Sequence, residues 1–212
     1  MHVDKNTLIA LEQRYRANLI NCLSGFKPAI LVGTQSPSGD TNLAMFTNVL
    51  HIGANPALLG LLVRPAPAGT ERHTLDNITA TGEFTLNHVT TSILPAAHQT
   101  SARFPRHVSE FTATGLTPEW RDDCKAPYVK EAPVKIGLRL AEQQTLAINN
   151  TTLVIGEVQS IYLPKEILRE DGSVDMAKGH IITSCGLDSY HATAPGTRYR
   201  YAKPDTKATK VT

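Results

Sequence analysis

Cysteine is scarce in this sequence, and no metal-binding motif accompanies it. The 212 residues include only three cysteines, Cys22, Cys124 and Cys185, which lie far apart along the chain. An odd and widely spaced set of thiols gives neither a disulfide framework nor a zinc-ligand spacing, and H-E-x-x-H and C-x-x-C are both absent. We therefore expect reduced thiols, no protein-bound metal and a cytoplasmic location.

Motifs that hold nucleotides or mark hydrolases are also missing. The chain has no G-x-G-x-x-G, no G-x-x-x-x-G-K-[ST] and no G-x-S-x-G. These absences argue against a Rossmann site, a P-loop and the nucleophile elbow of an α/β-hydrolase. Any nicotinamide dinucleotide would therefore have to bind in another way.

Charge and hydropathy argue against two kinds of partner. The formal net charge is only +2, which is too small to indicate a nucleic-acid partner or an acidic membrane surface. The basic, aromatic run Arg198–Tyr201 is better explained as a solvated tail than as an RNA contact. No apolar run is long enough to cross a bilayer, and the polar residues after Met1 lack a signal-peptide core. We expect neither nucleic acid nor a membrane as a partner.

Length and composition suit one domain with a real core. The chain is 41% hydrophobic and 19% charged, which is typical of a folded globular protein. We predict a single domain over residues 1–212, with an N-terminal helix within residues 1–25 and a loose tail at residues 194–212 as additions. Apolar residues at helical spacing predict that helix over Leu8–Asn18.

The region from Ala29 to Val63 predicts consecutive strands with no room for a helix. Apolar runs at Ala29–Thr34, Thr41–Ile52 and Ala57–Val63 are separated by turn residues, Ser36–Asp40 and the pair Asn55-Pro56. Such spacing favours antiparallel pairing over a doubly wound α/β fold.

The rest of the chain adds strands and short helices. Further strands are predicted at Glu83–Val89, Lys135–Glu142 and Thr152–Leu163, a helix at Ser92–Ala102, and a loop at Pro118–Pro127. At least six strands with only short helices predict a mainly β fold, an antiparallel sheet that closes into a barrel.

The segment from Asn42 to Thr74 contains the most informative chemistry. Small and polar residues line its first strand, and its last strand ends in a loop that contains Arg64, Thr70, Arg72, His73 and Thr74. Unpaired N–H groups at a helix start and forked arginine donors are what a phosphate-bearing cofactor needs. The alternative is a solvated surface loop in which Thr74 caps the helix.

Several segments in order resemble one known family. These segments are Asn42–Asn48, Asn55-Pro56, Arg72–Ile78, Phe84–Asn87 and Gly186–His191. Through them the sequence resembles the flavin reductase-like proteins of the FMN-binding split-barrel class, in the branch associated with flavoprotein oxygenases. His73 stands where the family often has an acidic residue, and Met45 replaces a smaller one.

The resemblance implies an antiparallel split β-barrel that forms a homodimer with FMN at the subunit interface. It further implies NADH or NADPH as the transient reductant and an oxygenase or another acceptor as the recipient of electrons. It identifies no catalytic acid or base. The cofactor-binding residues that it implies are Asn42, Ala44, Met45, Phe46, Thr47, Asn48, Arg64, Thr70, Arg72, His73, Thr74 and Tyr190.

These residues have distinct expected roles and ordinary alternatives. The strand Ala44–Asn48 would follow the isoalloxazine edge, where small side chains let the main chain approach, or it is simply a half-buried strand. Arg64, Arg72 and the threonines near them would hold the ribityl phosphate. Tyr190, placed in a segment without regular structure, would stack on the flavin or anchor the tail to the barrel.

Three functions remain open from the sequence. The first is an NAD(P)H-dependent flavin reductase that transfers hydride to N5 of FMN. The second is a non-catalytic FMN protein that carries electrons, with the flavin face covered by residues 92–114 or by the tail. The third is a split barrel that resembles pyridoxamine-phosphate oxidase or handles haem.

Overall fold

The computed structural model describes residues 1–211 and consists mainly of β-strands. Its helices are short: α1 Lys5–Ala10, α2 Gln13–Leu23, α3 His73–Thr81, α4 Leu94–Gln99 and α5 Glu110–Thr114, with a 3-10 turn at Lys165–Ile167. The first six strands are β1 Lys27–Pro28, β2 Ile30–Gln35, β3 Thr41–Phe46, β4 Val49–Ala54, β5 Ala57–Val63 and β6 Glu83–His88. The remaining strands are β7 Pro118–Arg121, β8 Cys124–Val129, β9 Lys135–Thr145, β10 Thr152–Tyr162, β11 Ile182–Cys185 and β12 Ser189–Ala192.

The main sheet has seven strands in the order β3-β2-β6-β9-β10-β5-β4, and every neighbouring pair is antiparallel. Its two outermost strands, β3 and β4, are separated by only Thr47 and Asn48. In a flat sheet of this order the edges would lie about 29 Å apart, whereas the chain from Phe46 to Val49 reaches at most about 11 Å. The sheet must therefore roll up until its edges approach each other.

The closure is incomplete. Among the described strands, β3 pairs only with β2 and β4 only with β5. The main-chain hydrogen bond from Leu62 N–H to the Asn48 carbonyl oxygen, 3.0 Å long, fixes the residues between β3 and β4 against β5. The result is an antiparallel split barrel, which confirms the fold class predicted from the sequence.

Strand β2 is buried on both faces, because two hydrophobic clusters pack against it. Ile30 and Val32 belong to one cluster with residues of β5, β6, β9, β10 and α3. Ala29, just before β2, and Leu31 belong to the other, with residues of α4 and α5. Alternate side chains of a strand point to opposite faces, so β2 joins the barrel core to the layer of short helices.

Two smaller sheets complete the fold. Strands β1, β11 and β12 form a three-stranded antiparallel sheet, and β7 pairs with β8. The three-stranded sheet places β11, which ends at Cys185, beside β1, which follows α2 in the chain. No helix within residues 1–211 is long and apolar enough to cross a membrane.

One strand prediction and one loop prediction were wrong. Thr41–Ile52 is not one strand, because the chain crosses from one edge of the sheet to the other at Thr47 and Asn48. Pro118–Pro127 is not a loop but most of the β7–β8 hairpin. Pro118 occupies the first position of β7, where proline is tolerated.

Two predictions near the chain ends also need correction. The single helix over Leu8–Asn18 is in fact two, since Leu11 adopts an extended conformation and the Glu12 carboxylate accepts hydrogen bonds from the first N–H groups of α2. Tyr190 does not lie in an irregular segment, because β12 pairs with β11 around it.

Candidate functional site

One cavity of about 550 Å³ contains the predicted site at the place where β3 leads into β4. Its volume lies in the range of small-molecule and cofactor sites. All twelve predicted residues line it: Asn42, Ala44, Met45, Phe46, Thr47, Asn48, Arg64, Thr70, Arg72, His73, Thr74 and Tyr190. The sequence prediction therefore identified a set of residues that the fold brings together.

The free edge of β3 forms one wall of this cavity. The main chain of an edge strand alternates between groups that pair with its neighbour and groups that point outward. Leu43 N–H points outward, since it donates to Glu110 Oε2 over 2.9 Å. By the same alternation Met45 N–H points outward too, on a residue that lines the cavity. This wall therefore presents main-chain hydrogen-bonding groups to a ligand.

A buried network of hydroxyl and amide groups holds α3 against the barrel. Asn42 Nδ2 donates to Thr34 Oγ1 over 3.2 Å and to Thr74 Oγ1 over 3.1 Å. Asn77 Nδ2 donates to the same Thr34 oxygen over 3.1 Å. Thr74 is the second residue of α3 and not its cap, so the capping role considered for it was wrong. Asn42 and Thr74 fix the position of α3, whose N-terminus lies at the cavity.

The N-terminus of α3 has the character of an anion site. Its N-cap residue is Arg72, and no side chain within residues 1–211 caps the first N–H groups of the helix. Those groups lack partners inside the helix and sit at the positive end of its dipole. Residues 72–74 all line the cavity.

Two arginines flank this helix start. Arg72 donates from Nε to the Arg64 carbonyl oxygen over 3.1 Å and from Nη2 to that of Pro65 over 3.2 Å. It therefore braces the loop that it belongs to. Arg64 Nη2 donates to Asn21 Oδ1 over 2.9 Å, which brings the end of α2 to the cavity. Thr70 is tied into its own turn, since its hydroxyl donates to the Pro67 carbonyl oxygen over 2.7 Å.

An ion-pair cluster supports the same loop from another segment. Arg106 contacts Glu71 over 3.0 Å and Asp76 over 2.7 Å, and His73 Nε2 lies 3.2 Å from Glu71 Oε2. The hydrogen bond from Arg106 lowers the pKa of the Glu71 carboxyl. Because the side chains of Arg106, Glu71 and Asp76 are substantially exposed, the cluster contributes more to loop geometry than to stability.

Glu110 is a cavity residue that sequence reasoning missed. It begins α5, is 5% exposed, and accepts the outward N–H of Leu43. Burial raises the pKa of its carboxyl, while the hydrogen bond from Leu43 opposes that shift. No local pattern marks it, because its partner is 67 residues away in sequence.

Glu110 should make the stability of the protein fall as the pH rises above 4.5, the ordinary pKa of a glutamate. The raised pKa means that the folded state binds this proton more tightly than the unfolded state, so stability is lost as pH rises through the folded pKa. In Glu110→Gln, which keeps an oxygen acceptor for Leu43, urea unfolding between pH 4 and pH 8 should show a smaller loss. The exposed Glu157 supplies the control Glu157→Gln, and an identical pH profile for Glu110→Gln and wild type would contradict the expectation.

The remaining lining comes from residues outside the predicted cofactor-binding set, although the electron-carrier alternative placed residues 92–114 over the flavin face. Residues 100–105, which follow α4, line the cavity with Asn21, Gly186 and Leu187. The hydroxyl of Tyr190 makes a 2.8 Å hydrogen bond with His98 Nδ1. Tyr190 therefore anchors β12 to α4 and lines the cavity as well. Burial raises the pKa of its hydroxyl.

An antiparallel barrel that is split at the β3 and β4 edges, with a cavity beside the gap, defines the split-barrel class. Within that class, residues 26–178 match the sequence profile of the flavin reductase like domain. The match covers most of the chain, and the chain belongs to this family. A protein of Deinococcus radiodurans is 30% identical over 182 residues, covering 84% of this chain and 77% of its own.

Solved structures agree with this assignment. A candidate flavin reductase with a split barrel domain from Shewanella frigidimarina is 47% identical, with a TM-score of 0.91, covering 95% of this chain and all of its own. Nitrilotriacetate monooxygenase component B from Bacillus cereus is 23% identical, with a TM-score of 0.80, covering 92% of this chain and 96% of its own. At that identity the second structure establishes a shared fold alone.

Proposed function

We propose that this protein binds FMN and acts as an NAD(P)H-dependent flavin reductase. The observation that carries the proposal is the meeting, in one cavity, of the outward edge of β3, the uncapped start of α3 and two arginines. The resemblance to the Shewanella protein over the whole fold supports the same conclusion.

The residues of the cavity suit the two chemically different ends of FMN. Arg64, Arg72 and the first N–H groups of α3 would hold the phosphate, since charge-assisted bonds and a helix N-terminus both favour an anion. The main chain around Met45 would hydrogen-bond the polar edge of the ring system. When bound, FMN supplies the ring nitrogen N5 that accepts hydride.

The remaining work of the chain is to position the rings and limit access. Hydride transfer needs the reacting atoms about 3–3.5 Å apart and needs no general acid. The segment from Thr100 to Pro105 and the ring of Tyr190 line the cavity, and they would define the space that the nicotinamide enters.

The test of this function is a titration with FMN followed by anaerobic mixing with NADH and with NADPH. Flavin fluorescence should be quenched on binding, and the visible flavin absorbance should be lost with at least one nucleotide. Failure to bind FMN would reject the whole proposal. Bound flavin that responds to neither nucleotide would reject the reductase.

The second candidate function is that of an electron carrier. The lining of the cavity by residues 100–105 and Tyr190 favours it, because those groups would also shield a permanently bound flavin from a nucleotide. The same experiment separates the two functions. A carrier keeps FMN, ignores both nucleotides and accepts electrons from another flavoprotein. A haem-handling barrel would instead give a strong Soret band on loading.

We further propose a homodimer that places a second chain next to the cavity. No residue of α1 or α2 is buried, and Leu23 and the nearby Phe26 are 72% and 67% exposed. Clustered exposed apolar groups mark interaction surfaces, and Asn21 on the same helix lines the cavity. Light scattering should give twice the chain mass of 23.0 kDa, and a monomer with FMN bound would contradict this.

An oxygenase is the proposed recipient of the reduced flavin. The support is the likeness in fold to a monooxygenase component B, together with the family to which the chain belongs. Stimulation of a cognate oxygenase by this protein, FMN and NAD(P)H would support the proposal. The identity of that oxygenase is a matter for co-purification from the native organism.

A further inference from the structure

Two cysteines that are distant in sequence meet beside the cavity. Cys185 Sγ lies 4.0 Å from the carbonyl oxygen of Cys22, although 163 residues separate them. A methyl group placed on Gly186 would lie only 2.8 Å from Cys22 Sγ. The Cys22 sulfur therefore packs against the residue that follows Cys185, and both residues are thiols in the structure.

We propose that Cys22 and Cys185 are a redox-sensitive pair that closes a reversible disulfide between α2 and β11. The two thiol groups are within hydrogen-bonding reach of each other, so rotation of the side chains would bring the sulfurs to the S–S bonding distance of about 2.05 Å. In the single chain Cys22 is exposed, which leaves it open to an oxidant, and the half-buried Cys185 is placed to resolve the product.

The oxidant is a low-molecular-weight disulfide such as glutathione disulfide. The Cys22 thiolate attacks one sulfur of the oxidant, its S–S bond breaks, and one thiolate leaves and takes up a proton. The Cys185 thiolate then attacks Cys22 Sγ, and the second thiol leaves. Two electrons pass from the two protein thiols to the oxidant, which becomes two thiols.

The bridge would span the rim of the cavity. Asn21, immediately before Cys22, lines the cavity and accepts from Arg64, while Gly186 and Leu187, immediately after Cys185, line it too. Oxidation would join these two parts of the wall covalently. If the proposed function holds, and this step rests on it, the bridge slows exchange of FMN with solution by at least about threefold, because it restrains the movement of this part of the wall.

The surroundings of Cys22 set the pH at which the pair responds. Local desolvation and hydrogen bonding with Cys185 raise the pKa of the Cys22 thiol. The charge of Asp188 acts in the same direction, and that of Lys27 acts against it. Since the thiolate is the attacking species, oxidation should be slow at neutral pH and faster at pH 9.

Thiol counting tests the bridge without reference to flavin. The reduced full-length protein is incubated with glutathione disulfide, denatured, alkylated and mapped by mass spectrometry. We expect free thiols to fall from three to one, on the buried Cys124, and a peptide that links Cys22 to Cys185. Treatment with dithiothreitol should restore all three free thiols. Retention of every thiol, or mixed and intermolecular disulfides alone, would overturn the proposal.

Variants provide the matched controls. Cys124→Ala should still lose both of its remaining thiols, because the side chain of Cys124 lies in a separate cluster. Cys22→Ser should form no internal bridge. The oxidised wild type should melt roughly 5 °C higher than the reduced form, since a cross-link over a long loop restricts the unfolded chain, and Cys22→Ser should lack that shift.

Flavin release, measured on both redox states, tests the coupling to the cavity. Slower release from the oxidised wild type, absent in Cys22→Ser, supports it. Equal rates with the bridge formed would overturn the coupling. A protein that forms the bridge but binds no FMN in either state would reject the proposed function and leave the cysteine pair standing.

Discussion

Replacement of Arg72 by alanine is expected to weaken FMN binding about 100-fold. A charge-assisted hydrogen bond to a phosphate is worth about 1.5–3 kcal/mol, and Arg72 stands at the N-cap of α3. It also braces the carbonyl oxygens of Arg64 and Pro65, so its loss would loosen the loop around the phosphate. Fluorescence titration with FMN measures the effect directly.

The control for this experiment is an exposed cation that does not line the cavity. Arg139 is an exposed residue of β9, and Arg139→Ala removes the same charge from the protein. Its FMN affinity should stay within about twofold of wild type, because exposed charges beyond the Debye length are screened. If Arg72→Ala also stayed within that range, the phosphate would have to bind elsewhere.

Replacement of Thr34 by valine should destabilise the fold by about 3 kcal/mol. The Thr34 hydroxyl accepts from the side-chain amides of Asn42 and Asn77, and all of these groups are buried. Valine has nearly the same shape but leaves those donors without that partner, at a cost of about 1–3 kcal/mol for each buried group. The melting temperature should fall by roughly 6–12 °C for a chain of this size.

A second threonine shows whether the effect belongs to the buried network. Thr79 lies on the exposed side of α3, where its hydroxyl bonds to Gln143. Thr79→Val makes the same chemical change at the surface and should shift the melting temperature by less than about 2 °C. Equal shifts in both variants would mean that the network contributes little to stability.

The local parts of the site were predictable from the sequence. Strand β5 and the helix beginning at His73 follow from short runs of residues whose periodicity and turn signals lie within the segment itself. The cavity residues of β3 and of the cationic loop are separated by only a few tens of positions. Their joint chemistry, small residues followed by arginines and hydroxyls, was therefore readable without the fold.

The features that the sequence did not predict depend on contacts that form only when the barrel closes. Glu110 reaches the cavity through a bond to Leu43, and Asn21 reaches it through Arg64. The break after Phe46 is set by the position of the sheet edges, which no short window of sequence records. For the same reason the wide spacing of Cys22 and Cys185 in the sequence concealed their proximity in the fold.

The open edge of β3 is a potential site of aggregation that the cavity walls protect. An unpaired strand edge is a template on which another chain can add a strand, and this is a common route to aggregation. Glu110 occupies the outward N–H of Leu43, and the neighbouring edge lies inside a cavity instead of on an open surface. The walls that shape the pocket therefore also serve as a guard against unwanted β-sheet growth, and a ligand bound along the edge would strengthen that protection.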